Sequence, residues 1–117
     1  MNLNKNENIV LIDIDGTLII HTDKENYDHC LNYYGHKKYV KVHTELVQLL
    51  KSYKQRGFYI RVHSNNGYRW AKEVINALDL NSFVDSIETK ACRFVDDAIV
   101  ASNEVVGQHV WIPYEKN

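Results

Sequence analysis

Asp13 and Asp15 stand two positions apart, directly after the apolar run Ile9-Val10-Leu11-Ile12, and Gly16-Thr17 follows them. In extended chain, side chains two apart point the same way. Two carboxylates held that close repel unless a cation lies between them or one of them keeps a proton. The pair therefore suits a divalent metal site, or a nucleophile beside a general acid. Gly16 lets the chain turn sharply after the pair, and Thr17 brings a hydroxyl into the new direction. The bland alternative is an Asp-Gly turn capped by a neighbouring carboxylate. Its place after an apolar strand and before Thr17-Leu18 weighs against that.

Other reactive residues recur at the ends of later apolar runs. Ser64 and Asn65 follow Phe58–His63, and Asp96-Asp97 follow Arg93-Phe94-Val95, with Lys90 just ahead. Sites in open α/β sheets form at the carboxyl ends of strands, so these groups are expected to converge. His21, His29, Cys30, His36 and His43 fit no compact ligand pattern and predict no zinc site.

Asp13-Ile14-Asp15-Gly16-Thr17-Leu18 resembles the first motif of the haloacid dehalogenase (HAD) superfamily of phosphohydrolases. Ser64, Lys90 and Asp96-Asp97 follow in that family's order, so the resemblance spans residues 9 to about 100. It implies that Asp13 attacks phosphorus to form an aspartyl-phosphate. Asp15 then protonates the leaving oxygen and later helps to deprotonate water. The resemblance further implies that Ser64 holds a phosphoryl oxygen and that Lys90 balances charge, with Lys72 a weaker substitute. Mg²⁺ is implied on Asp13, the Asp15 backbone carbonyl, Asp96 and Asp97. Phosphoryl transfer needs little beyond positioning and charge neutralisation, which these groups supply. Thr17, Asn65, Tyr33 and Tyr34 are expected to contact the substrate.

Two rivals use the same fold class. A receiver-type phospho-acceptor module also clusters aspartates around Mg²⁺, but its hydroxyl residue and lysine come after the acceptor Asp, whereas Ser64 precedes Asp96-Asp97. A HAD fold kept for binding alone is the other rival.

The elements that must position these residues are read from periodicity. Ile9–Ile12 is a strand whose continuous apolarity suits burial on both faces of a parallel sheet. Residues 17–41 are irregular, with a short strand over 17–21 and a helical turn or two over 27–34. Val42, Leu46, Val47, Leu49, Leu50 and Tyr53 mark one helix face, closed by Arg56-Gly57. Phe58–His63 is a second strand, and Trp70, Val74, Ala77 and Leu78 mark the buried face of a second helix. A third strand is expected over 81–87 and a fourth at Arg93–Val95, then a helical turn over 98–103 and a last strand at His109–Ile112. The alternation predicts an α/β, doubly wound parallel sheet, and the resemblance implies that it is Rossmann-like and of HAD type. One domain covers 1–117, with a flap insertion at roughly 18–41 and no room for a large cap.

Composition bounds the function class. The chain has 117 residues, 44% hydrophobic and 25% charged, with 14 Lys+Arg against 15 Asp+Glu. That excludes a disordered chain and the strongly basic surface of a non-specific nucleic-acid binder. No apolar run approaches the ~20 residues of a membrane span, and residues 1–8 are polar, so a cytoplasmic protein that uses no membrane is expected. A lightly covered site suits a phosphorylated substrate that is large, such as a nucleic-acid end or phosphoprotein. It equally suits a small phosphate ester if a homo-oligomer covers the site. The flap, passing over the strand ends, is expected to set specificity and not chemistry.

Overall fold

The computed structural model describes residues 8–91 and, beyond them, the backbone of 93–95, 99–102 and 110–113. The first apolar run forms strand β1 (Ile9–Asp13). The chain then winds around one carbonyl: Ile14 O accepts from the N–H groups of Thr17 at 3.2 Å, Leu18 at 2.9 Å and Ile19 at 3.2 Å. Gly16, at φ 80°, supplies the left-handed step that this turn needs. Ile14, Leu18 and Ile19 are fully buried and pin the loop to the core. Asp15 stands on that loop.

The loop reverses the chain into β2 (Ile19–Thr22), followed by β3 (His29–Tyr33) and β4 (His36–Val42), an antiparallel sheet in the order β2-β4-β3. The expected strand near 17–21 is thus present, shifted to Ile19–Thr22. The expected helical turn over 27–34 is not: His29–Tyr33 is a strand, because Leu31 and Tyr33 face inward while Cys30 and Asn32 face out, a period of two. Tyr34 (φ 50°) and Gly35 (φ 86°) form the two-residue hairpin, whose paired positive φ values match the sheet's right-handed twist. The Asn32 side chain accepts the Gly35 N–H at 2.8 Å and locks the turn.

Helix α1 (Thr44–Gln55) starts at His43, whose ring nitrogen accepts the Leu46 N–H at 3.3 Å. It buries Val47 and Leu50 and ends at Arg56-Gly57 as read, with Gly57 at φ 91°. Strand β5 (Tyr59–Ser64) then pairs in parallel with β1, and after α2 (Tyr68–Ala77) strand β6 (Ser86–Thr89) pairs with the far side of β5. Helix α2 buries Trp70, Ala71, Val74 and Ile75, while the expected Ala77 and Leu78 are half-buried at the rim. Phe83 and Val84, read as strand, belong to the turn before β6, with the Phe83 N–H bonded to Leu80 O at 2.9 Å.

Of the three strands in this parallel sheet, β5 is the central one, with Ile60, Val62 and Ser64 fully buried. β1 was expected to be covered on both faces, yet Leu11 is 51% exposed. The sheet and its two helices give the α/β, Rossmann-like architecture expected of a HAD fold. The exposed face of β5 and β6 carries a two-pronged ion pair, Arg61 Nε and Nη2 to Glu88 at 2.8 and 2.9 Å. The Arg61 hydrogen bonds hold the Glu88 carboxyl below its ordinary range. A lowered carboxyl contributes stability at neutral pH and loses it as pH falls through the carboxylate range. Both side chains are more than a third exposed, so Glu88→Gln should cost less than about 1 kcal/mol at pH 7. In urea unfolding the gap should shrink as pH falls through and below the carboxylate range, and a gap that persists once Glu88 is protonated would mean the pair is not its source.

The last strands are β7 (Arg93–Val95), β8 (Ile99–Ser102) and β9 (Val110–Pro113), antiparallel in the order β7-β8-β9. Arg93–Val95 therefore joins an antiparallel sheet instead of extending the parallel one. The helical turn expected over 98–103 is strand β8, paired through Val100↔Ile112 and Ala101↔Trp111. β-Branched and aromatic residues in both runs favour that pairing over a helical turn. No helix among the described residues is long and apolar enough to cross a membrane.

Candidate active site

Asp13 ends β1, and its register partner is His63 on β5, one residue before Ser64. Parallel pairing of β1, β5 and β6 thus brings Asp13, Ser64 and the chain leaving Thr89 to one sheet edge. Lys90 follows Thr89 at once. Its amide donates to Ser64 O at 2.9 Å, and its side chain turns inward until only 4% stays exposed. A buried ammonium requires anionic partners. Lys90 Nζ lies 3.8 Å from Asp13 Oδ2, and His63 Nε2 lies 3.9 Å from Asp13 Oδ1. Asp13 itself is 31% exposed, so a ligand can reach it between these two bases. Lys72, the alternative lysine, is exposed on α2 with its ammonium 5.9 Å from the Tyr68 ring.

Asp15 accepts hydrogen bonds on both carboxylate oxygens. Oδ2 takes the Ser64 hydroxyl at 2.5 Å, while Oδ1 takes Trp70 Nε1–H and His21 Nε2–H at 2.8 Å each. Ser64 is fully buried, and its oxygen accepts the Asn66 N–H at 3.0 Å. That bond ties the start of the turn into α2 to the end of β5, so the hydroxyl has a fixed place beside Asp15.

The remaining expected residues divide between two sides. Thr17 is half-buried and borders a hollow with Asp13, Leu46 and Leu50. Asn65 is half-buried in the turn after Ser64. Tyr33 and Tyr34 lie on the flap, where with Asn32, Arg69, Trp70 and Glu73 they line a groove of about 220 Å³. A smaller recess of about 70 Å³, lined by His21, Tyr33, Lys38, Asn66 and Trp70, adjoins it through the shared Tyr33 and Trp70. Asp96 and Asp97 lie outside the described residues, and among the described residues no group of three or more His, Cys, Asp or Glu is placed to hold a metal.

Sequence reasoning missed three residues of this cluster: His21, Trp70 and His63. Trp70 was read as core alone, but a buried indole N–H usually needs an acceptor, and strand-end carboxylates are the nearest kind. His63 was legible only through the β1–β5 register. No sequence signal marks His21.

The family model of NLI interacting factor-like phosphatases matches residues 8–106, a span that holds Asp13, Asp15, Ser64, Lys90 and the Asp96-Asp97 pair. No curated protein and no solved structure matches the chain.

Proposed function

The chain belongs to the NLI interacting factor-like phosphatase family, a HAD-type phosphatase family, and from that premise we propose that it hydrolyses phosphomonoesters through an aspartyl-phosphate on Asp13, with Mg²⁺. The observation that carries this reading is the placement of Asp13. It is the only acid at that strand end flanked by a buried lysine among the described residues, and it stays open to a ligand. One Asp13 oxygen attacks phosphorus while Lys90 offsets the charge of nucleophile and phosphoryl group. Asp15 gives its proton to the departing oxygen, and in the second step takes one from the attacking water. Ser64, freed from Asp15, would donate to a phosphoryl oxygen.

For the metal, the donor set is hard oxygen, which suits Mg²⁺. Both Asp15 carboxylate oxygens already accept hydrogen bonds, so the Asp15 main-chain carbonyl is the expected ligand, with the Asp13 carboxylate, Asp96 and Asp97. When bound, the cation neutralises phosphoryl oxygens that would otherwise repel Asp13.

The proposed organisation is one domain over 1–117 in minimal form, with the flap at roughly 18–41 as its cover. Thr17 and Asn65 would contact the phosphoryl side, and Tyr33 and Tyr34 the leaving group in the flap groove. The substrate is a small phosphate ester or a phosphorylated nucleic-acid or protein end. The exposed free thiol of Cys30 suits a reducing, cytoplasmic compartment.

The test is hydrolysis of a panel of sugar phosphates, nucleotides, end-phosphorylated oligonucleotides and phosphopeptides. Release of phosphate should require Mg²⁺, cease in EDTA and return on adding Mg²⁺, with Ca²⁺ a poor substitute. Full activity in chelator would overturn the mechanism.

A further inference from the structure

The flap was expected to shape specificity and leave the chemistry to the strand ends, but His21 reaches from β2 to the Asp15 carboxylate. We propose that His21 and Trp70 are positioning residues that clamp the Asp15 carboxylate and direct its Oδ2 to the leaving group. The inference rests on the phosphatase reading above.

The two carboxylate oxygens are not equivalent. Oδ1 receives two N–H donors at 2.8 Å each, whereas Oδ2 receives the Ser64 hydroxyl alone. An indole nitrogen only donates, so Oδ1 must be an acceptor whichever way the His21 ring is protonated. Oδ2 is different. Its single partner is the Ser64 hydroxyl, whose oxygen is held in place but whose proton can turn away, since a hydroxyl both donates and accepts. The oxygen left to hold a transferable proton is therefore Oδ2.

The clamp draws its donors from two elements, Trp70 on α2 and His21 on β2. Trp70 is buried on α2, and its ring stacks on His21 with centroids 5.7 Å apart and planes 19° apart. Tyr33 of β3 meets the same indole edge-on, with centroids 5.5 Å apart. An aspartate has two rotatable side-chain bonds, and two donors from different elements converging on one oxygen fix both. The flap thereby enters the chemistry through Asp15.

In the step affected, an Asp13 oxygen forms its bond to phosphorus as the ester P–O bond breaks. The electron pair of that bond stays on the departing oxygen, which takes the proton from Asp15 Oδ2 and leaves as alcohol, and Asp15 becomes a carboxylate. A strongly basic alkoxide needs that proton, and a nitrophenolate hardly does.

The experiment compares benzyl phosphate with p-nitrophenyl phosphate in wild type, Asp15→Asn, His21→Phe, His21→Gln and Trp70→Phe. His21→Phe keeps a ring for Trp70 to stack on but has no donor, and His21→Gln restores an N–H. Asp15→Asn sets the full scale of the effect. His21→Phe should lose at least about tenfold more kcat/KM, which reports departure of the leaving group and not the shared second step, on the benzyl ester than on the nitrophenyl ester; His21→Gln should recover most of that excess, and Trp70→Phe should move in the direction of His21→Phe. Equal losses on both esters in His21→Phe, or a His21→Gln no better than His21→Phe, would overturn the clamp while leaving the phosphatase reading intact. Wild type inactive on both esters would overturn the reading, and the clamp with it. Should Trp70→Phe not fold, the two His21 variants decide alone, with matching melting temperatures as their control.

Discussion

Asp13→Asn should lower turnover by at least about ten-thousandfold, a barrier rise of about 5.5 kcal/mol. The amide keeps the shape of the carboxylate but cannot form the acyl phosphate, so the loss falls on chemistry and not on binding. A second effect follows from the neighbour. Lys90 is buried 3.8 Å from Asp13 Oδ2, and removing the charge of one partner leaves an ammonium short of compensation. The variant should therefore unfold more easily, by about 1–3 kcal/mol, tempered by the partial exposure of Asp13. The double variant Asp13→Asn/Lys90→Met separates the two consequences. It should regain most of the lost stability in thermal unfolding and none of the turnover. Turnover of Asp13→Asn within about tenfold of wild type would remove Asp13 from the nucleophile's role.

The strand ends were legible because the strands that lead to them are written in β-branched residues. Ile9-Val10-Leu11-Ile12 delivers Asp13, and Tyr59-Ile60-Arg61-Val62-His63 delivers Ser64. The two helices were legible for a similar reason, since Val47 with Leu50 and Trp70 with Val74 recur at helical spacing. The flap was not legible. Its strands hold histidines, lysines and tyrosines in place of an alternating apolar pattern. Its hairpin puts Tyr34 at φ 50°, where a turn would ordinarily declare itself by Asn or Gly. Nor can local patterns report contacts made by chain reversal. His21 reaches Asp15 only because the loop wound on Ile14 O folds β2 back over the strand end. At the other end of the chain, Ile99–Ser102 was misread because four residues are too few to show whether the period is that of a helix or a strand.

Lys90→Met carries the second large effect, and its two readouts should move in opposite directions. Met fills nearly the same volume and has no charge to bury, so the cost of desolvating an ammonium disappears. What remains is Asp13, 31% exposed and still 3.9 Å from His63, so solvent and His63 continue to face the carboxylate. The fold should hold or gain stability, and the melting temperature should not fall. Turnover should drop by about 10²–10³-fold, the usual cost of deleting one preorganised positive group from a site of developing charge. Lys90→Arg should not rescue it, because the planar guanidinium is larger than the space that encloses an ammonium with 4% exposure. Lys72→Met is the control, since the ammonium of Lys72 lies over Tyr68 on the exposed side of α2, and its turnover should stay within about twofold of wild type. A Lys90→Met enzyme that loses stability and keeps its turnover would make Lys90 a structural lysine, and the charge beside Asp13 would then have to come from elsewhere.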